Sequence, residues 1–422
     1  MIYSATRALS DPKTLFNYQS ALDQCSEGLL KIKKWYDEGS LPLLRLPEER
    51  DDLKKVEEFA VKVGRDFDDF IVLGTGGSNL GAKTLFSLNH KGLNQATSGI
   101  RCHFFDNVDP STFKALMESF TPSRTFIFSV SKSGTTAETM SQTVLLMDWL
   151  LLAGCDLRTH VAVLTEPKAS PLTSLAERFG LQAFSHDPLV GGRFSVFSIV
   201  GLIPAMVAGI DPIQVREGAW SVLGPVINGA KPEDVTAAQG AALAAAHVKA
   251  GRSQTVLLPY ADQLADFGLW YRQLWAESVG KEGLGTTPIR AMGTIDQHSQ
   301  LQLYLDGPAD KLFTFIEVAQ SSILPALNPD LLDDKLSYLK GQSLGDLLVA
   351  ECRASADTLA AKGHPVREIK VDEVSAYTMG ALMMHFVLET ILAAHLWNID
   401  AFNQPAVEDI KIRTRQVLAG QE

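Results

Sequence analysis

The chain has 422 residues, of which 46% are hydrophobic and 21% charged, so it is long enough to form two globular domains with apolar cores. This composition excludes a disordered, fibrous or small disulfide-stapled protein. The net charge of -11 argues against a general nucleic-acid-binding surface, which needs clustered Lys and Arg. Any anionic ligand must therefore be bound locally.

Short apolar runs alternate with longer amphipathic runs, which is the pattern of an α/β fold with parallel sheets. We predict an N-terminal helical segment, residues 1–45, that packs on the first of two domains. The first domain spans residues 46–215 and the second, with the C-terminal helices, residues 216–422; the boundary falls somewhere in 209–231. The predicted strands are 70–74, 101–106, 125–131, 160–165, 254–260 and 311–318, and two further helices are predicted at 237–250 and 347–362.

Two apolar segments are candidates for membrane spans. Segment 194–210 is shorter than the roughly 20 residues that a spanning helix needs. Segment 376–397 is long enough, but it carries His385, Glu389 and His395, which are costly in hydrocarbon. We predict that both are buried helices, and that His385 and Glu389 have a packing role.

The four cysteines lie far apart in the sequence, with no C-x-x-C pair and no spacing typical of metal ligands. They are Cys25, Cys102, Cys155 and Cys352. The first residues lack the uninterrupted apolar core of a secretory signal peptide. We therefore expect a reduced, cytoplasmic protein.

A glycine-rich turn follows the first predicted strand, in residues 71–81, Ile-Val-Leu-Gly-Thr-Gly-Gly-Ser-Asn-Leu-Gly. Such a turn presents backbone N–H groups at a helix N-terminus, where an anion is favoured, although a ligand-free βα turn fits the same pattern. The dinucleotide fingerprint fails because Asn79 stands where its third glycine belongs. The phosphate-binding loop of nucleotide hydrolases fails because Lys83 does not follow a glycine directly. We expect no nucleotide cofactor.

A second turn, residues 131–139, has the sequence Ser-Lys-Ser-Gly-Thr-Thr-Ala-Glu-Thr and contains five hydroxyl groups and one ammonium group. It also follows an apolar strand and precedes a helix. Helix capping uses one or two hydroxyl side chains at most. The excess predicts a phosphate site, in a crevice at the carboxyl ends of parallel strands.

Two further segments carry charged groups suited to catalysis. Arg193 follows two glycines and precedes an apolar run, so its permanent charge could meet a ligand or pair with a structural carboxylate. Glu277 lies among Trp and Leu, where a buried carboxyl group would have a raised pKa suited to a general base, although a lone glutamate is more often an ordinary solvated helix residue. His298 in segment 293–302 and Lys411 in segment 402–411 are ambiguous in isolation.

Together and in this order, the six segments resemble the signatures of the glucose-6-phosphate isomerase family, in a compact form. The resemblance extends from about residue 71 to residue 411. It implies two sugar-isomerase-type (SIS) α/β/α sandwich domains with parallel central sheets. Departures from the pattern of long members are Ser133-Gly134, where they carry threonine and an aromatic residue, and Val279, where they carry asparagine.

The resemblance assigns a role to each candidate residue. Glu277 is the base that moves a proton between C1 and C2, and Arg193 stabilises the enediol oxygens. His298, helped by Lys411, opens the sugar ring. The residues assigned to substrate binding are Gly77, Ser78, Ser131, Lys132, Ser133, Thr135, Thr136, Gly192, Gln297 and Gln404. It also implies a sugar phosphate substrate, no metal or other cofactor, and a homodimer whose active site is shared between subunits, with no nucleic-acid or membrane partner.

Three alternatives remain at this stage. A dual-specificity phosphoglucose/phosphomannose isomerase would share the fold and the phosphate turns. A non-catalytic phosphosugar sensor would need an output module, and no basic helix-turn-helix segment is present to supply one. The isomerase part of a glutamine-dependent amidotransferase would carry a nucleophilic cysteine at position 2, where this chain has Ile2.

Overall fold

The computed structural model describes residues 1–90, 99–319 and 324–420, and this part of the chain forms two five-stranded sheets. The strands are β1 Ile2–Ser4, β2 Asp69–Leu73, β3 Arg101–Phe105, β4 Thr125–Val130, β5 Val161–Thr165, β6 Gln182–Ser185, β7 Gln254–Pro259, β8 Thr287–Arg290, β9 Lys311–Val318 and β10 Val366–Val371. The helices are α1 Pro12–Glu38, α2 Asp51–Asp66, α3 Leu80–His90, α4 Pro110–Ser119, α5 Ala137–Leu152, α6 Leu157–His160, α7 Pro171–Phe179, α8 Ile199–Val207, α9 Pro212–Ile227, α10 Thr236–Lys249, α11 Ala265–Val279, α12 Ile295–Ser299, α13 Leu301–Asp306, α14 Leu344–Ala361, α15 Ala376–Leu396 and α16 Glu408–Leu418.

The first sheet has the strand order β3-β2-β4-β5-β6, and every neighbouring pair is parallel. Its central strands are buried along their whole length. Since successive side chains of a strand point to opposite sides, both faces of the sheet are covered. In β2, Phe70 and Val72 pack with α2 and α8, whereas Ile71 and Leu73 pack with α5 and α7. The result is a three-layer α/β/α sandwich.

The second sheet has the order β1-β10-β9-β7-β8. Strands β7 to β10 pair in parallel, and β1 is antiparallel to β10. In β7, Val256 and Leu258 pack towards α14, and Leu257 packs towards the cluster that includes α10, α11 and α15. The predicted fold class, α/β with parallel central sheets, is confirmed.

The N-terminal segment differs from the prediction that it packs on the first domain. Strand β1 joins the second sheet beside β10, and α1 packs against α10 and α15. The physical reason is the Ala-rich surface of α10, which lets the apolar stripe of α1, including Leu29 and Ile32, approach closely. An amphipathic helix predicts its buried face from sequence, but not the partner of that face.

Packing changes partner at Gly209, within the region predicted to hold the domain boundary. Helix α8 packs on α2, and α9, which begins three residues later, packs on α15. The position predicted for the boundary, between residues 215 and 216, falls inside α9.

Helix α15 is the central helix of the larger core, as predicted. It is long and apolar enough to span a membrane, but 89% of its most apolar window is buried inside the protein. Segment 194–210 is also buried, as a 3-10 turn followed by α8. His385 and Glu389 of α15 lie 3.1 Å apart, and Glu389 accepts a 2.8 Å hydrogen bond from Arg367 of β10. These buried polar groups therefore compensate one another within the core.

Candidate active site

Two of the predicted ligand-binding turns lie at the same edge of the first sheet. Strand β2 ends at Leu73 and the neighbouring β4 at Val130, and the two strands pair in parallel. The glycine turn that follows β2 therefore lies beside the hydroxyl-rich turn that follows β4. The carboxyl edge of a parallel sheet is where such folds form ligand crevices.

The hydroxyl-rich turn is held by bonds among its own side chains. Ser131 Oγ is 3.0 Å from Thr136 Oγ1, and Ser133 Oγ is 2.9 Å from Thr135 Oγ1. Gly134 adopts a positive φ of 66° and donates to the Ser131 carbonyl at 3.1 Å. Thr136 occupies the N-cap position of α5 but makes no side-chain capping bond. The first N–H groups of α5 therefore lack a side-chain cap, as an anion site requires.

The Lys132 side chain bonds to a neighbouring loop and not to the hydroxyl groups of its own turn. Its ammonium donates to the carbonyls of Pro188, at 2.8 Å, and Val190, at 3.1 Å. It also lies 3.7 Å from a carboxylate oxygen of Glu166. Lys132, which the resemblance assigns to phosphate binding, is therefore bonded to the loop that precedes Arg193.

The glycine turn after β2 and a second glycine turn, Gly191-Gly192 before Arg193, touch at Gly77 and Gly192. A Cβ atom added at Gly77 would overlap the backbone of Gly192, so only glycine allows this approach. Ser195 reinforces the contact, because its hydroxyl donates to the Gly192 carbonyl at 2.7 Å and lies 3.3 Å from the Gly77 carbonyl. The structure thus brings together two residues predicted to bind substrate, and Ser78 follows directly.

Arg193 is buried and held by uncharged oxygen atoms. Its Nε donates to Ser278 Oγ at 2.7 Å, its Nη1 donates to Gln404 Oε1, and its Nη2 donates to the carbonyls of Ala401 and Asn403. Burial lowers the pKa of Arg193, although a guanidinium group remains charged at any working pH. The group is oriented mainly by neutral neighbours, and its ion-pair partner is the carboxylate of Glu277.

Glu277 is the carboxylate beside that charge. It lies in the last turn of α11, and its Oε2 is 3.5 Å from Arg193 Nη1. Its Oε1 accepts a 3.0 Å hydrogen bond from Gln273 Nε2. The side chain is 34% exposed, so a ligand can reach it. The predicted pair of base and cation therefore meets in the structure.

Three residues of this site were not identified from the sequence. Gln273 lies one helical turn before Glu277, a spacing that places the two on one helix face, and it packs against Gly76 of the glycine turn. Ser278 directly follows Glu277 in a segment that contributes to the family resemblance, but the sequence assigns it no role. Lys281 donates to the Asp400 carbonyl, and burial lowers its pKa. Through Lys281, the end of α11 is fastened to the segment that supplies the acceptors of Arg193.

The remaining candidates make no hydrogen bond or ion pair with Arg193 or Glu277 in the described residues. Gln297 accepts a 2.8 Å hydrogen bond from Tyr260. His298, on α12, is exposed, and its side chain makes no hydrogen bond or ion pair within the described residues. Lys411, on α16, pairs with exposed Glu408 at 2.6 Å. Of the ring-opening and supporting residues, the described chain brings only Gln404 to Arg193.

No group of three or more His, Cys, Asp or Glu side chains suited to hold a metal ion occurs in residues 1–90, 99–319 and 324–420. All four cysteines are free, and only Cys155 is partly exposed. The groups that the structure brings together for chemistry are the Glu277 carboxylate, the Arg193 guanidinium and the hydroxyl-rich turn.

The chain is similar over nearly its whole length to known isomerases. The family model described as phosphoglucose isomerase matches residues 51–421. A glucose-6-phosphate isomerase of Thermus thermophilus is 35% identical, with 98% of this chain and 99% of the relative covered. The crystal structure of a hypothetical protein from Thermus thermophilus superposes with a TM-score of 0.89 at 34% identity, and covers 99% of each chain. A glucose-6-phosphate isomerase structure from Chlamydia trachomatis has the same fold, with a TM-score of 0.76 at 22% identity over 87% of this chain and 73% of that one. The resemblance found in the sequence motifs is confirmed, and the chain belongs to the phosphoglucose isomerase family.

Proposed function

We propose that the chain interconverts glucose 6-phosphate and fructose 6-phosphate through a cis-enediol intermediate, a step of glycolysis and gluconeogenesis. As a member of the phosphoglucose isomerase family, it is an aldose–ketose isomerase. The observation that carries the mechanism is the placement of Glu277 3.5 Å from buried Arg193.

Glu277 is the proposed base. Isomerisation removes a proton from C2, delivers a proton to C1, and passes through an enediol, so one carboxylate between the two carbons can serve both transfers. Gln273 holds Oε1, and Oε2 faces the arginine. A positioned general base contributes on the order of 10²–10⁴-fold to the rate. Orientation and electrostatic stabilisation must supply the rest.

Arg193 is the proposed stabiliser of the negative charge that develops on the enediol oxygens. Four uncharged oxygen acceptors fix its guanidinium group, so little reorganisation is needed when charge appears nearby. Glu277 becomes neutral when it accepts the substrate proton. At that moment the charge of Arg193 has the enediolate as its partner.

The hydroxyl-rich turn is the proposed phosphate site. The phosphate does not react, so its binding energy can position the sugar chain against Glu277. The groups proposed to hold it are the N–H groups at the start of α5 and the side chains of Ser78, Ser131, Ser133, Thr135 and Thr136. Gly77 and Gly192 allow close approach of the substrate to the backbone.

Ring opening is assigned to His298 with the help of Lys411, and Gln297 and Gln404 are assigned supporting contacts. His298 and Lys411 are exposed in the single chain, which supports the proposal that a homodimer completes the site. Helix α16 has no buried residue and exposes apolar side chains, including Ile410 and Leu418. Such a helix is suited to contact a second subunit.

A cytoplasmic location is part of the proposal. The four cysteines are free thiols, as expected for a reducing compartment.

The reaction is tested by supplying wild type and Glu277→Gln with each sugar phosphate in deuterated water. Wild type should interconvert the two and incorporate deuterium at C1 of fructose 6-phosphate and at C2 of glucose 6-phosphate, while Glu277→Gln should lose both activities and keep its affinity for inorganic phosphate. The matched control is Glu282→Gln, which alters an exposed glutamate on the same segment. Wild type that leaves both sugars unchanged rejects the function, and an active Glu277→Gln rejects the base. Parallel assays with mannose 6-phosphate distinguish the dual-specificity alternative.

The shared site is tested by mixing two inactive variants, Glu277→Gln and His298→Ala, under conditions that let subunits exchange. If His298 acts on the partner subunit, each heterodimer has one doubly damaged site and one intact site. Part of the activity should then return. No recovery after exchange has been confirmed by mass spectrometry would place His298 in its own subunit's site, or outside catalysis.

A further inference from the structure

The loop that leads from β6 to Arg193 is held by two side-chain donors. Lys132 Nζ donates to the carbonyls of Pro188 and Val190, at 2.8 and 3.1 Å. His186 Nε2 donates to the same Val190 carbonyl at 2.9 Å. Both Val190 and His186 are buried. Two residues after Val190 the chain reaches Gly192, which touches the glycine turn, and then Arg193.

The ammonium of Lys132 is already engaged by these contacts. A lysine has three N–H donors and no acceptor. Two of the donors meet loop carbonyls, and Glu166 lies 3.7 Å away as a counter-charge. Only one donor remains for a further ligand, and a phosphate bound there would compete with the carboxylate of Glu166 for the same ammonium. The hydroxyl groups of the same turn bond mainly to one another and can rotate towards a ligand.

The main chain of Lys132 is fastened as well. Its carbonyl accepts a 3.1 Å hydrogen bond from the Glu166 N–H and a 3.3 Å hydrogen bond from Thr165 Oγ1. Both donors lie at the end of β5. Lys132 therefore joins three pieces of structure: the hydroxyl-rich turn, the end of β5, and the loop before Arg193.

We infer that Lys132 is a positioning residue, which fixes the 186–192 loop and through it Arg193, and that the phosphate is bound by the hydroxyl and N–H groups of the turn. His186 serves the same loop by donating to the same Val190 carbonyl oxygen. This inference rests on the proposed isomerase function. It makes the placement of Arg193 dependent on the turn that receives the phosphate, a group remote from the reacting carbons.

The test compares three variants in steady-state isomerase assays and by competitive inhibition with inorganic phosphate. Lys132→Met removes both bonds to the loop, and His186→Gln alters the second donor to Val190 without touching the phosphate turn. Lys168→Met is the matched control, because Lys168 also pairs with Glu166 but has no bond to the loop. Thermal unfolding of each variant measures whether the fold is retained.

The expected result is a loss of turnover without a matching loss of phosphate affinity. A misplacement of about 1 Å at a reacting group costs roughly 10²-fold, so kcat of Lys132→Met should fall by about 10- to 100-fold. The inhibition constant of phosphate should change less than about threefold, the size of a weakened surface charge interaction. His186→Gln should lower kcat in the same direction by a smaller factor, and Lys168→Met should resemble wild type.

Two results would overturn the inference. One is a Lys132→Met variant whose phosphate inhibition weakens more than about tenfold, which is the effect of losing a direct charged ligand. The other is an unchanged kcat in both folded variants. If Lys132→Met does not fold, His186→Gln alone decides, by the same comparison of kcat with phosphate inhibition. A wild type inactive with both sugar phosphates rejects the proposed function itself, before any variant is compared.

Discussion

Arg193 and Arg367 are both buried, with 3% and 1% of their surfaces exposed. They differ in the groups that accept hydrogen bonds from their guanidinium groups. Arg367 donates to the Glu389 carboxylate at 2.8 Å and to Thr314 Oγ1 at 2.7 Å. Arg193 is bonded mainly to uncharged oxygen atoms, and the carboxylate of Glu277 lies 3.5 Å away.

The pKa values of these groups follow from that difference. Burial lowers the pKa of Arg193. Burial acts on Arg367 in the same sense, but the charge of Glu389 outweighs it and raises the pKa of Arg367 above the usual range. Burial would raise the pKa of Glu389, and the charge of Arg367 together with the contact to His385 lowers it instead. Arg367 thus has its counter-charge, the carboxylate of Glu389, within the protein core.

The comparison separates a structural charge from a functional one. The ion pair of Arg367 joins β10 to α15 and completes the fold, so removing one partner should unfold the protein before it affects the chemistry. The neutral bonds of Arg193 orient the group and leave its charge for a ligand. Removing it should affect the chemistry before the fold.

The largest expected effect is on stability, from Glu389→Ala. The substitution leaves the buried charge of Arg367 without its partner, which costs about 3–5 kcal/mol of unfolding free energy. Denaturant unfolding measures the loss. Glu118→Ala is the control, because Glu118 pairs with Lys114 at the surface, where such pairs contribute about 0–1 kcal/mol. A Glu389→Ala variant as stable as this control would remove the distinction between the two arginines.

Arg193→Met should have the largest effect on catalysis that the comparison predicts. The loss of one preorganised charge stabiliser costs roughly 10²–10³ in kcat, about 2.7–4 kcal/mol. The loss of stability should be smaller than for Glu389→Ala, because the abandoned acceptors are neutral. Arg193→Lys should not restore the rate, since an ammonium cannot reproduce the guanidinium fork. Steady-state kinetics and denaturant unfolding of the same preparations check both parts, and turnover near wild type contradicts the assignment.

The acid limb of stability provides a third test. Since the folded pKa of Glu389 is lowered from the ordinary value of 4.5, the unfolded chain binds the proton first as the pH falls. The stability that Glu389 contributes is therefore complete above pH 4.5 and is lost as the pH drops through the lower folded value. Glu389→Gln should show a shallower loss of unfolding free energy across this acid range. Equal slopes for wild type and variant, measured by urea unfolding at several pH values, would contradict the assigned direction.

The same two regions explain how far the sequence predicted the fold. Strands β2, β4, β5 and β9 are rich in apolar residues and were predicted within one or two residues. Strand β10 was missed because Arg367, Glu368 and Lys370 interrupt its pattern. The charge of Arg367 is buried only because Glu389 lies across the core, and no local pattern reveals that pairing. Strands β1, β6 and β8 were missed as short strands at or near sheet edges.

The site shows the same limit. Turn chemistry predicted the hydroxyl-rich turn by itself, whereas Arg193 and Glu277 were candidates whose roles came from the family resemblance. Ser278 was missed, since a serine becomes an arginine acceptor only through the approach of α11 to the glycine turns. The link between His298, Lys411 and the rest of the site came from the family resemblance, and it remains a proposal because the single chain leaves both exposed.

The smallest expected effect comes from the hydroxyl groups that hold the two Nε atoms. Arg193 Nε donates to Ser278 Oγ and Arg367 Nε donates to Thr314 Oγ1, each at 2.7 Å and each buried. An unsatisfied buried donor costs about 1–3 kcal/mol in either place. Ser278→Ala should therefore lower kcat about tenfold through misorientation of Arg193, with phosphate inhibition unchanged. Thr314→Val should lower the unfolding free energy by about 1–3 kcal/mol and leave kcat near wild type. The two variants form a matched pair, measured by kinetics and denaturant unfolding on both. If Thr314→Val slowed turnover as much as Ser278→Ala, the buried arginines would not divide into a structural and a functional group.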